Sequence, residues 1–236
     1  MIDTGKVMEY FKPEPTDTIV IVGCGALGST IALNLARLNF NHFVLYDFDT
    51  VDAHNIANQS YFNKDIGKHK VVALKEYIKD ISPDAQVDIY TEPCTADNIY
   101  FSTGVRTYFI LTPDSVAVRN TLAHAIASCP YSAMVRQAPI IDARMGLLSG
   151  QVWSGCADEL VQTPLYSAAL GLNDDEIARS TPKTACGYEL SVMYAVQQNA
   201  VIATHELIRL VSDVTAKPHL IQYDTATYNI MSVPLK

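Results

Sequence analysis

The stretch TIVIVGCGALGS, residues 18–29, decides the fold. Thr18–Val22 is a short, continuous β-branched run, the pattern of a strand buried on both faces. Gly23, Gly25 and Gly28 then make G-x-G-x-x-G, and IALNLARLNF (31–40) has the apolar spacing of a helix. Between a strand and a helix each glycine has a mechanical use. The first permits a tight turn, the second lets the backbone approach a phosphate, and the third allows close packing of helix on strand. The helix N-terminus is left aimed at an anion. HFVLYDFD (42–49) is the next strand-like run, and Asp47 lies nineteen residues beyond Gly28, where an acid bonds ribose hydroxyls. This pattern predicts a nucleotide, and by itself it serves NAD as well as ATP.

Further along, strand-like and helix-like segments alternate. DIGKHKVVALKEYIKDI (65–81) reads as an amphipathic helix ended by Ser82 and Pro83, QVDIY (86–90) as a third strand and RTYFILTP (106–113) as a fourth. Residues 115–128 give another helix and APIIDARMG (138–146) a fifth strand. This alternation predicts βαβ units and an α/β, Rossmann-like, mainly parallel sheet with helices on both faces. After Gly146 the texture changes: LLSGQVWSG (147–155) alternates like an antiparallel strand, so the sheet continues into antiparallel strands. Residues 157–185 read as a long loop with one short helix near Asn173–Arg179, and Glu189–Ser212 as a long helix. Val192, Val196, Ala203, Leu207 and Val211 lie along one face of that helix. HLIQYDTATYNIMSV (219–233) reads as two strands joined by a turn at Asp224–Ala226.

Composition narrows the classes. A formal net charge of -8 speaks against a duplex nucleic acid partner, which needs a surplus of Lys and Arg. No apolar run approaches the ~20 residues of a membrane span. Residues 1–17 are polar, carry Asp3, Glu9 and Glu14, and read as an arm rather than a signal peptide. Cys24, Cys94, Cys129, Cys156 and Cys186 are scattered and never form C-x-x-C, which suits reduced thiols in a cytoplasm and leaves no zinc expected.

The segment DFDTVDAHNIANQSYFNKDIGKHK (47–70) resembles the D-x-D-x-V-x-x-S-N-L-x-R-Q…G-x-x-K signature of the ThiF, MoeB and ubiquitin-activating enzyme superfamily. TPDSVAVRN (112–120) resembles its D-x-x-x-x-R-N, and GQVW (150–153) also fits. The resemblance implies one ThiF-like domain over 1–236, with a nucleotide-binding half at 17–155 and a mixed-sheet, long-helix half at 156–236. It implies ATP and Mg²⁺ as cofactors. Asp47 would bond the ribose, Asn55, Asn58 and Gln59 would sit near the phosphates, and Lys70 would contact them. Asp114 would hold the metal, and the backbone at Gly25, Ala26 and Leu27 would line the nucleotide. The implied reaction is adenylation of the C-terminal carboxylate of a small ubiquitin-like protein or peptide, with release of pyrophosphate.

Several positions carry a second reading from their own chemistry. Lys70 beside Lys68 also reads as a solvated lysine, Asp114 as the N-cap of the helix that follows, and Asn55 and Gln59 as loop braces. Asp49 is either a turn residue or a ligand. Arg119 reads as a brace, and His54 and His69 as surface residues. Cys186, before the long helix and near Lys183, is a candidate nucleophile, because a helix N-terminus lowers a thiol pKa, and Cys156 is a weaker one. The favoured reading of both is structural, with Ala-Cys-Gly a tight entry to the helix and no catalytic cysteine. A homodimer is expected from the family and from the apolar face of the long helix.

The chain also departs from the family. Asn58 stands where an arginine is usual, and the N-terminal arm has Lys6 and Lys12 but no arginine. The missing arginines leave a catalytically silent nucleotide-binding partner subunit as an alternative to the adenylyltransferase, and the shared Rossmann-like half leaves an NAD-dependent oxidoreductase as another.

Overall fold

Strand β1 (Thr18–Val22) is buried at every position and sits inside an eight-stranded sheet of order β3-β2-β1-β4-β5-β6-β7-β8. The computed structural model describes residues 11–102, 104–129, 138–175, 179, 190–213 and 216–235. Strands β2 (His42–Tyr46), β3 (Gln86–Tyr90), β4 (Thr107–Leu111) and β5 (Pro139–Met145) run parallel to β1. Strands β6 (Ser149–Cys156), β7 (His219–Asp224) and β8 (Asn229–Pro234) continue the sheet antiparallel. The expected mixed sheet is present.

Alternation of side chains along the strands builds two cores. Ile19 and Ile21 face one with Leu35 of α1 (Ala26–Arg37), Leu74 of α2 (Lys70–Ile81) and Leu207 of α6 (Met193–Ser212). Val20 and Val22 face the other, with Leu122 of α3 (Val116–Ala127), Leu160 of α4 (Ala157–Gln162) and Tyr166 of α5 (Pro164–Leu170). Each such apolar side chain contributes roughly 1.5–3 kcal/mol by leaving water. Sheet order reverses between β1 and β4, so right-handed crossovers put α1 and α2 on one face and α3 on the other. A crevice therefore opens at the carboxyl ends of β1 and β4.

The element boundaries correct four expectations. Helix α1 starts directly after Gly25, so Ala26, Leu27 and Gly28 lie inside it. Helix α2 starts at Lys70, because Asn63–Asp65 forms a separate 3₁₀ turn. The loop expected from 157 contains α4 and α5, whose weak periodicity still buries Leu160, Tyr166 and Leu170. The long helix starts at Met193, and α1, β5 and β6 cover its apolar face at Val196, Ala203 and Leu207. Most of the helix expected near 173–179, Glu189, Lys6, Lys183 and Cys186 lie outside the described residues. No helix among the described residues is long and apolar enough to cross a membrane.

Gly150 shows why the GQVW segment carries glycine: a Cβ there would meet Asn199 Nδ2 at 2.5 Å and the Tyr223 ring at 2.5 Å. Helix α6 thus lies directly on β6, and Asn199 donates to the Arg144 carbonyl at 2.8 Å.

A buried ion cluster ties α3 to β5. Arg119 donates to the carbonyls of Leu111 (3.0 Å) and Ala143 (3.2 Å) and pairs with Asp142, so it braces the sheet. Asp142 also accepts from Arg144 Nη2 at 2.6 Å and from the Tyr166 hydroxyl at 3.1 Å. Burial pushes the Asp142 carboxyl up, but Arg119 and Arg144 outweigh it and hold it below the usual range. A depressed folded-state value means that this stabilisation is complete above the unfolded carboxylate pKa of about 3.9 and is lost as pH falls through the folded value. Asp142→Asn leaves two arginines without a counter-charge and should cost about 3–5 kcal/mol by denaturant unfolding at pH 7. That deficit should narrow as the pH drops below 4.

Candidate active site

The turn after β1 is shaped by close contacts. Gly23 has φ +89°, and a Cβ there would lie 2.7 Å from the Thr112 carbonyl oxygen, so the loop after β4 packs directly on it. At Gly28 a Cβ would lie 1.9 Å from the Gly23 carbonyl oxygen, so the helix rests against the turn. Gly25 differs: its nearest neighbour would be Gln59 Nε2 at 4.0 Å, so no protein atom demands a glycine. Gly25 is the N-cap of α1, no side chain caps the helix, and the residue lines a cleft of about 600 Å³. An uncapped helix N-terminus facing open space is suited to an anion.

Asp47 closes the turn from the side of β2. Its Oδ2 accepts from Cys24 N at 2.6 Å and its Oδ1 from Asp49 N at 2.8 Å. Each oxygen keeps a lone pair for a further donor. Burial pushes this carboxyl up despite those bonds and the nearby Lys70. Asp49 is both a turn residue and an ion-pair partner, because its Oδ2 lies 2.8 Å from Lys70 Nζ. Lys70 is not a solvated lysine: only 8% of its side chain is exposed, and its backbone N–H donates to the Asp49 carbonyl at 3.0 Å. Lys68, by contrast, pairs with Glu76 at 2.7 Å.

The 3₁₀ turn Ala53–Ala57 positions the amides. Asn55 is buried, and its Oδ1 accepts from Asp52 N at 2.9 Å, which leaves Nδ2 as its free donor. Asn58 donates to the Ser191 hydroxyl and so ties this loop to the residues before α6. Gln59 Oε1 is buried without a hydrogen-bond partner among the described residues. A buried acceptor of this kind costs about 1–3 kcal/mol unless something fills it.

Asp114 is exposed in the same cleft and does not cap the following helix. Ser115 is the N-cap, with its hydroxyl accepting from Val118 N at 3.2 Å. The cleft thus brings together Gly23, Gly25, Ala26, Asp47, Asp49, Asn55, Asn58, Gln59, Lys70 and Asp114. Leu27 and Gly28 are buried behind it. Cys156 lies at the far end of β6, and burial pushes its thiol up.

Sequence reasoning missed Glu92, Pro93, Cys94, Met145 and Gly146, which also line the cleft, and set His54 aside as a surface residue although it lines it too. The missed residues follow β3 or close β5, so the rule that ligands sit at strand carboxyl ends was the available signal.

Fold and cleft together have the build of a doubly wound nucleotide-binding protein. The chain belongs to the ThiF family, whose pattern it matches over residues 16–236. It is 31% identical over 148 residues to ubiquitin-like modifier-activating enzyme 5 of Oryza sativa subsp. japonica, covering 61% of this chain and 33% of the rice protein. Its fold superposes on E. coli MccB crystallised with ATP at a TM-score of 0.67, with 15% identity, over 94% of this chain and 64% of MccB. It also superposes on E. coli tRNA N6-threonylcarbamoyladenosine dehydratase, TcdA, crystallised with AMP. There the TM-score is 0.61 and the identity 21%, over 84% of this chain and 88% of TcdA.

The glycine geometry predicts a contrast. Gly28→Ala should cost about 3 kcal/mol of unfolding free energy in a urea titration, because its Cβ meets backbone. Gly25→Ala should stay within about 1 kcal/mol of the unmodified chain.

Proposed function

We propose that this chain is an ATP-dependent adenylyltransferase that activates the C-terminal carboxylate of a ubiquitin-like protein or peptide. One observation carries the reading: segments that are far apart in sequence deliver Asp47, Asn55, Gln59, Lys70 and Asp114 to one cleft at the N-terminus of α1. A dinucleotide oxidoreductase has no use for a lysine and a second carboxylate beside the phosphates. The rice relative is by name a ubiquitin-like modifier-activating enzyme, and the MccB structure contains ATP.

In this reading Asp47 takes the ribose hydroxyls on its free lone pairs. The first N–H groups of α1 receive the phosphates, and Gln59 Oε1 and Asn55 Nδ2 find partners on the nucleotide. Lys70 reaches a phosphate from its place against Asp49. A substrate carboxylate oxygen attacks the α-phosphorus and forms the mixed anhydride. The bond from the α-phosphorus to the bridging oxygen breaks, and pyrophosphate leaves with the electron pair. No proton need move, because the nucleophile is already ionised. Holding the two reactants in line and meeting the growing negative charge supply the catalysis.

Charge in the cleft favours a metal. Its described lining holds Asp47, Asp49, Glu92 and Asp114 against Lys70 as the one lysine or arginine. A polyphosphate entering this field needs a counter-ion. Asp114 is the residue to hold Mg²⁺, since a lone carboxylate plus phosphates is a usual magnesium environment. Held there, a metal would supply neutralisation of phosphate charge.

Met145 and Gly146 line both this cleft and a groove of about 460 Å³ that passes Arg144, Gln151, Gln222 and Met231 on β5 to β8. That groove gives a substrate tail a way to the α-phosphate. Exposed Tyr194 and Val201 on α6 suit a homodimer, and exposed Lys12 belongs to the arm that would reach a partner. A silent partner subunit is the second reading, favoured by Asn58, which bonds Ser191 in place of a phosphate-binding arginine.

Calorimetry should show Mg-ATP binding and no comparable binding of NAD; tighter NAD binding contradicts the proposal. Asp114→Asn should weaken Mg-ATP by about tenfold, or 1.4 kcal/mol, while thermal stability is kept. Pyrophosphate exchange with a carboxylate partner separates the two readings: an enzyme exchanges label, and a silent subunit binds ATP without exchange.

A further inference from the structure

Asp114 directly precedes the N-terminus of α3, a place to which a carboxylate is ordinarily drawn. Other side chains hold that position. Asp174, fifty-nine residues beyond Ser115, accepts from the Ser115 hydroxyl at 2.6 Å. It also accepts from Val116 N at 2.6 Å and from Ala117 N at 3.4 Å. With Ser115 Oγ taking Val118 N, the first three backbone donors of α3 all have acceptors. The bonds from the Ser115 hydroxyl and the two backbone N–H groups hold the Asp174 carboxyl below the usual range, so it stays ionised.

The other flank of Asp114 is equally fixed. Thr112 N donates to the Val22 carbonyl at 2.9 Å, and the Thr112 hydroxyl donates to the Gly23 carbonyl at 2.7 Å. Asp114 therefore sits on a turn anchored at both ends, and its carboxylate takes no hydrogen bond or ion pair from another described residue.

We propose that Asp174 is a positioning residue for the metal–nucleotide site: it occupies the N-terminus of α3 and so leaves Asp114 available to the cleft. Asp114 lies two residues before Val116, the spacing at which an Asp carboxylate can accept a backbone N–H, and the structure gives that donor to Asp174. Without it, Asp114 is the acid next in sequence to the donors of α3 and would turn to cap the helix, where it is lost to Mg²⁺. This inference rests on the nucleotide reading above. It differs from a purely structural cap in what it couples to, namely metal dependence rather than stability alone.

The test compares Asp174→Ala and Asp174→Asn with the unmodified chain. Mg²⁺ is titrated at fixed ATP with binding as the readout, and AMP binding is measured without metal. Asp174→Ala should raise the Mg²⁺ concentration for half-maximal ATP binding about tenfold, the scale of one helix cap, and leave AMP affinity unchanged. Asp174→Asn, which keeps an acceptor for Val116 N, should lie between the two and remain folded. Adding Asp174→Ala to Asp114→Asn should have no further effect on the Mg²⁺ requirement, as expected of two residues acting through one carboxylate. An unchanged Mg²⁺ requirement in folded Asp174→Ala would overturn the proposal, as would a parallel loss of AMP affinity. An unmodified chain with no metal-dependent nucleotide binding would overturn the nucleotide reading itself, and this inference with it.

Discussion

The bond from the Cys24 backbone N–H to the Asp47 carboxylate, at 2.6 Å, is the contact on which the cleft depends. It joins the glycine turn after β1 to the loop after β2, two segments that the sheet alone brings side by side but does not lock. Cys24 is held on its other side too, since the Tyr61 hydroxyl donates to its carbonyl at 2.6 Å. With both backbone polar groups of Cys24 committed, the two peptide units that lead into α1 are held in a fixed direction. A hydrogen bond to a charged acceptor is worth roughly 1.5–3 kcal/mol, enough to offset part of the cost of holding the carboxylate half-buried.

From that point the rest of the cleft follows in sequence. Asp47 accepts from Asp49 N, which places the Asp49 carboxylate where Lys70 meets it. Lys70 is the first residue of α2, so its burial depends on where that helix begins. The isolated bridge between Thr50 and His69 sets this start by closing the loop that separates the two acids from the helix. The D-x-D…K spacing is thus explained without a ligand: it makes a closed loop with one ion pair, between buried Lys70 and half-exposed Asp49. What the loop does not explain is Gly25 and Gln59, whose geometry leaves space and an unused acceptor.

Much of the parallel half was legible in the sequence, because β-branched runs and glycines at fixed offsets report local backbone geometry directly. The second half was harder. Helices α4 and α5 bury only short faces through Leu160, Tyr166 and Leu170, too few residues for a clear period. Asp174 could not be found by spacing at all, because its partners lie about sixty residues away and the contact exists only in three dimensions. The start of α1 was misplaced for a related reason. Glycine weakens the helical pattern at Gly28, yet the turn demands it there. The departure at Asn58 was visible as a missing charge, whereas its bond to Ser191 was not.

Where a nucleotide lies decides what this cleft is for. A crystal structure of this chain with Mg²⁺ and a non-hydrolysable ATP analogue tests that most directly. The ribose hydroxyls should lie on Asp47, the phosphates at the N–H groups of Ala26, Leu27 and Gly28, and the metal on Asp114. A nucleotide bound outside this cleft, or one with its phosphates turned away from the N-terminus of α1, would contradict that placement.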